Sequence, residues 1–122
     1  MAKILIAEDD DAIRTLVVRA LSQDGHTLAA AADGKAALQA FNDGGEFDLL
    51  LTDVKMPVMD GIALAFAAGR DQPDLAIMLM TGYADQRERA HGLDAFVHDV
   101  INKPFTLRQI QGAVKEALVK RH

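Results

Sequence analysis

Apolar runs of strand length alternate along this chain with segments whose apolar residues recur at helical spacing. Lys3 to Ala7 reads as a strand, and Ile13, Leu16, Val17, Ala20 and Leu21 then form one helical face. Thr27 to Ala31 is a weaker strand, placed mainly by its position between helices. Asp33-Gly34 opens a helix carrying Ala37, Leu38 and Phe41, which stops at Asp43-Gly44-Gly45. Phe47 to Thr52 is a third strand, followed by a helix of small residues with Ile62, Leu64, Ala65 and Ala68 facing inward. Leu75 to Met80 is continuously apolar, as in a strand covered on both faces. Val97 to Ile101 is the fifth strand. A last helix runs from Thr106 to about Lys120, with Thr106 and Gln109 as a capping box and Phe105 with Ile110 as its hydrophobic staple.

Five such units predict an α/β domain, a doubly wound five-stranded parallel sheet with right-handed crossovers and five helices on its two faces. One of those helices stands apart. Asp85 to His91 is polar nearly all round, so it buries little and is held loosely. No linker, repeat or low-complexity segment divides the 122 residues, which read as one domain over 1–122.

Composition narrows the classes of function. The formal charge of −5 argues against a nucleic-acid surface, which needs clustered Lys and Arg. Lys120 and Arg121 at the basic end suit a helix dipole. The absence of cysteine excludes disulfides, thiolate metal sites and cysteine nucleophiles. No apolar stretch approaches the roughly 18 residues of a membrane span, and the apolar start is too short for a signal peptide. A cytoplasmic location is expected. His26, His91, His98 and His122 lack metal-ligand spacing, Met78 and Met80 read as core, and Met56 and Met59 read as loop packing.

The chemistry gathers at strand ends. Glu8 and Asp9 follow the first strand, Asp53 ends the third, Thr81 ends the fourth and Lys103-Pro104 follows the fifth. Pro57 and Asp60-Gly61 turn the chain after Asp53 before a helix can start. In a sheet ordered 2-1-3-4-5, the flavodoxin-like order, the first and third strands are neighbours at the switch point where open sheets bind ligands. Glu8, Asp9 and Asp53 then converge in one crevice. Their mutual repulsion is relieved by protonation or by a hard cation, and Mg²⁺ suits carboxylate and carbonyl oxygens. Lys103 at the rim balances the remaining charge, and Thr81 offers a hydroxyl donor beside Asp53. A carboxylate nucleophile, a metal and a cation are what phosphoryl transfer to aspartate requires. Each residue also has a plainer reading. Glu8 to Asp11 alone is a solvated helix cap, with Asp10 or Asp11 as the capping residue. Asp53 alone is a turn former, Thr81 a β-branched strand end, and Lys103 a surface lysine.

Four ordered motifs override those readings. Ile4-Leu-Ile-Ala-Glu-Asp-Asp10, Thr52-Asp-Val-Lys-Met-Pro-Val-Met-Asp-Gly61, Met80-Thr-Gly82 and Asn102-Lys-Pro-Phe105 resemble the receiver domain of two-component response regulators. The resemblance implies that Asp53 accepts a phosphoryl group from the phosphohistidine of a histidine kinase or phosphotransferase. It implies that Glu8, Asp9, Asp53 and the Lys55 carbonyl serve Mg²⁺, that Thr81 and Lys103 contact the phosphoryl oxygens, and that Lys103-Pro104 is cis. Because the chain ends at His122, it resembles a single-domain regulator that signals by binding another protein. The Thr-Gly-Tyr-Ala stretch is most similar to CpdR-type regulators, whose implied partner is a protease system. Many receivers carry a Tyr or Phe where this chain has Val100, so the switch is expected to use Tyr83 or Phe96 instead. The expected output face is the polar Asp85 to His91 helix with the fifth strand and the last helix.

Other functions fit less well. An Mg²⁺-dependent phosphohydrolase with an aspartyl nucleophile usually carries an acid two residues beyond it, where this chain has Lys55. A scaffold independent of phosphorylation would not need Asp53, Thr81 and Lys103. A flavin or dinucleotide site needs a glycine-rich first loop, and Glu8 to Asp11 is its electrostatic opposite.

Overall fold

Alternating side chains along the strands divide the core into two layers. The computed structural model describes residues 2–43, 45–56, 58–82 and 97–120. Strands β1 (Lys3–Ala7), β2 (Thr27–Ala31), β3 (Leu49–Asp53), β4 (Ala76–Thr81) and β5 (Asp99–Asn102) are all parallel and lie in the order β2-β1-β3-β4-β5. Four helices are present among the described residues: α1 (Asp11–Gln23), α2 (Gly34–Asn42), α3 (Gly61–Asp71) and α4 (Leu107–Lys120). The helix expected at Asp85 to His91, together with Tyr83, Phe96, Arg121 and His122, lies outside the described residues.

Leu5, Leu50, Ile77 and Leu79 point to one face of the sheet, where Ala37 of α2 and Leu64, Ala65 and Ala68 of α3 cover them. Ile4, Ile6, Leu51, Met78 and Met80 point to the other, against Val17, Ala20 and Leu21 of α1 and Ile110 and Val114 of α4. Burying each large side chain contributes roughly 1.5–3 kcal/mol, so packing fixes the sheet without help from the polar strand ends. Among the described residues, no helix is long and apolar enough to cross a membrane.

The caps follow the sequence. Asp10, of the two aspartates that could cap α1, accepts from the amides of Ala12 and Ile13. Asp33 and Asp60 cap α2 and α3 in the same way. Thr106 and Gln109 form both bonds of the capping box, at 2.7 and 3.1 Å. Phe105 and Ile110 join the same apolar cluster.

Two strand starts differ from the apolar pattern. β3 begins at Leu49 rather than Phe47, because Phe47 turns its ring edge-on to Phe41 at 5.2 Å below the end of the sheet. Asp48 bridges that gap, its amide donating to the Lys3 carbonyl and its carboxylate accepting from the Lys3 amide. β5 begins at Asp99 rather than Val97. There His98 closes a ring on Ile77: its amide donates to the Ile77 carbonyl at 2.7 Å, and its Nδ1 accepts from the Ile77 amide at 3.0 Å. An imidazole thus stands in for a main-chain acceptor at the mouth of the strand.

Candidate functional site

The sheet brings the polar strand ends together. β1 and β3 are direct neighbours, with Ala7 opposite Thr52, so Glu8 and Asp9 leave one strand beside the point where Asp53 ends the next. Carboxylate oxygens of Glu8, Asp9 and Asp53 all lie within 4.8 Å of one another. Glu8 is fully buried, Asp53 is 6 % exposed, and Asp9 faces solvent. Lys103 reaches across from beyond β5, its Nζ 2.6 Å from Glu8 Oε1 and 3.1 Å from Asp53 Oδ1. These groups line a cleft of about 480 Å³ that also takes in Lys55, Gly82 and Pro104. Larger open space elsewhere, at Glu46 to Asp48 and Gln72 to Leu75, lies by the opposite ends of the strands.

Thr81 is buried at the end of β4, one residue beyond the Met80 that pairs with Asp53. Its carbonyl accepts the Lys103 amide at 2.8 Å, which ties the β4 and β5 ends of the site together. The Lys103-Pro104 bond is cis. Val100 is half-buried against the layer that packs on α2 and α3, and Tyr83 lies outside the described residues.

Local bonding fixes each acid. The Glu8 amide donates to the Ala31 carbonyl at 3.0 Å, and Glu8 Oε2 accepts from the Asp10 amide at 3.2 Å. Arg14 was not among the residues singled out by the sequence, yet its guanidinium donates to the Glu8 carbonyl at 2.8 Å and pairs with Asp11. The only sequence signal is the i, i+3 spacing from Asp11 on one helix. Thr52 Oγ1 donates to the Asp53 carbonyl at 3.0 Å and so steadies the residue from its own strand.

One ammonium pairs with two of the three carboxylates, and the titration of the site reflects that imbalance. Burial pushes Glu8 up to about 7; the nearby Asp53 charge adds to the rise, while the bonds from Lys103 and the Asp10 amide oppose it. Burial alone would lower Lys103, but the Glu8 hydrogen bond and the Asp53 and Glu8 charges outweigh it and hold the ammonium above its usual value. The donor set is hard oxygen with one surplus of negative charge after another, which fits a divalent cation such as Mg²⁺ rather than a soft metal.

A five-stranded parallel sheet in the order β2-β1-β3-β4-β5, with an acidic crevice at its switch point and a facing lysine, is a flavodoxin-like architecture. The chain belongs to the response regulator receiver domain family, whose profile matches residues 4–115. It is 37% identical to the response regulator receiver protein CpdR of Brucella abortus, over 98% of both chains. It is also 37% identical, over 98% of its length, to a part of the sensor kinase CckA of Brucella abortus, of which it spans 13%. Among solved structures, the response regulator TrrA of Thermotoga maritima, in complex with Mg²⁺-BeF, matches with a TM-score of 0.85 and 28% identity over 96% of this chain and 99% of that one.

Proposed function

We propose that this receiver takes a phosphoryl group onto Asp53 in a Mg²⁺-dependent reaction and signals by phosphorylation-dependent binding to another protein. The observation that carries this reading is the convergence of Glu8, Asp9 and Asp53 within 4.8 Å, with Lys103 bridging two of them. An Asp53 carboxylate oxygen attacks the phosphorus of a phosphohistidine. The P–N bond breaks, its electron pair stays on the imidazole, and an acyl phosphate forms on Asp53. Lys103, already within 3.1 Å of Asp53, exchanges that contact for one to the phosphoryl oxygens, and the Thr81 hydroxyl donates from the neighbouring strand. Glu8, Asp9, Asp53 and the Lys55 carbonyl would hold Mg²⁺, which when bound neutralises the acids and the incoming phosphoryl charge. That TrrA was solved in complex with Mg²⁺-BeF supports the Mg²⁺ dependence.

The donor is a histidine kinase or histidine phosphotransferase, and the reaction of the chain is limited to its own phosphorylation and dephosphorylation. The output is a protein partner in the cytoplasm. The CpdR-type resemblance implies a protease system as that partner, and 37% identity to CpdR over 98% of both chains supports the resemblance.

Asp9 separates metal binding from capping. Asp10 is the residue that caps α1, so Asp9→Ala removes a ligand without removing the cap. The variant is expected to lose at least about tenfold in Mg²⁺ affinity, a scale on which even outer partners of a metal act. Its melting temperature without metal should be unchanged or higher, since repulsion on Asp53 is relieved. Calorimetric titration beside thermal melting checks both. Persistent Mg²⁺ binding in a destabilised variant would return Asp9 to a structural role.

Glu8 sets the pH dependence. Its folded-state value of about 7 lies above the 4.5 of the unfolded chain, so the folded protein binds the extra proton between them. In metal-free protein the stability linked to Glu8 is therefore present at low pH and declines as pH rises through about 4.5 to 7. Mg²⁺ must displace that proton. Its affinity should climb by up to about tenfold per pH unit below 7 and flatten above it, as titrations across pH 5.5 to 8.5 would show.

A further inference from the structure

The connection between β3 and α3, residues 54–60, is closed at its base. The Gly61 amide donates to the Val54 carbonyl at 2.8 Å, and the Val54 amide donates to the Met80 carbonyl at 3.1 Å. A β-carbon at Gly61 would stand 1.8 Å from the Asp53 carbonyl oxygen, so only glycine permits this closure. The far side of the loop is held from another element. A β-carbon on Gly34, the first residue of α2, would stand 2.2 Å from the Met59 carbonyl oxygen and 3.0 Å from its carbonyl carbon. These are main-chain atoms, which cannot swing aside as the tip of a side chain can.

Between the two contacts sits Val58, with a φ of 73°. β-Branched residues strongly avoid this left-handed conformation. The Val58 side chain is 77% exposed, so burial does not compensate for the strain. The close approach of Gly34 to the Met59 main chain restrains it from the C-terminal side, and a valine in so narrow a well passes displacement along rather than absorbing it.

We propose that Gly34 is a positioning residue for the acidic site: the start of α2 seats Met59, and the stiff Val58 link carries that placement to the backbone at Lys55. This rests on the reading of the cleft as a Mg²⁺ site, in which the Lys55 carbonyl is a ligand. The two ideas fail differently. Gly34→Ala must push Met59 outward, and its metal-free amide resonances should shift from Val54 to Asp60. Its Mg²⁺ affinity by calorimetry should fall about tenfold, the scale of a lost supporting group. Val58→Gly alone should raise the melting temperature, because glycine adopts positive φ without strain. In the double variant the loosened link should absorb the added carbon and restore most of the affinity and of any lost folding.

Unchanged loop resonances and Mg²⁺ affinity in Gly34→Ala, with only a lower melting temperature, would reduce Gly34 to helix packing and overturn the proposal. A double variant as impaired as Gly34→Ala in affinity or folding would overturn it too. Should wild type itself bind no Mg²⁺, the metal reading fails, and the loop resonances of the metal-free variants still decide whether Gly34 positions Lys55.

Discussion

Asp53→Asn gains no mass on incubation with Mg²⁺ and a small phosphodonor, while wild type gains one phosphoryl group: that is the largest effect expected of any single change. The amide fits the space of the carboxylate but is a far weaker nucleophile and carries no charge. Folding should not suffer. The change removes one of three mutually repelling acids, and Lys103 keeps its 2.6 Å contact with Glu8. The variant should therefore melt at or above the wild-type temperature, which separates lost chemistry from lost structure. Loss of the Asp53 charge also removes one of the influences that raise Glu8, so Glu8 should titrate lower in the variant. A mass gain equal to wild type would place the acceptor elsewhere, with the neighbouring Glu8 and Asp9 as the first residues to map.

Lys103→Met should destabilise the protein strongly, and only at the higher pH values. Methionine fills much of the same volume but leaves Glu8 fully buried beside Asp53 without its cation. Breaking a buried ion pair from one side costs about 3–5 kcal/mol while the remaining group stays charged. Glu8 can escape that cost by taking a proton, and burial already holds it at about 7 with Lys103 in place. Removing the ammonium raises it further. Melting at pH 5 should then resemble wild type, whereas at pH 8 the variant should melt well below it. Added Mg²⁺ should recover more stability in the variant than in wild type, because it supplies the missing positive charge. An equal loss at both pH values would mean that Lys103 acts through packing rather than through its charge.

The parts of the fold written in local pattern were readable without coordinates. Strand positions follow from apolar runs, and the Thr106–Gln109 box marks the start of the last helix because both bonds lie within one turn. Asp53, Glu8, Asp9, Thr81 and Lys103 could be placed together because parallel strands deliver their ends to one edge. What the sequence hid was contact between distant segments. Nothing local says that Gly34 touches Met59, that Arg14 holds the Glu8 carbonyl, or that Thr52 bonds the Asp53 carbonyl. His98 lacks metal-ligand spacing, and its role at the start of β5 needs the register with Ile77 to be seen. Phe47 and Val97 were read as strand because they are apolar, and both spend that character on packing beside the sheet instead.

The central claim, an acyl phosphate on Asp53 formed with Mg²⁺, has a direct chemical test. Wild-type protein is incubated with a phosphodonor, with Mg²⁺ or with the metal chelated, then reduced with borohydride and sequenced by tandem mass spectrometry. Borohydride converts an aspartyl phosphate to homoserine and leaves a free carboxylate unchanged. Homoserine at position 53 in the Mg²⁺ sample alone is the predicted result. Homoserine elsewhere, or equal conversion at 53 without the metal, would contradict it.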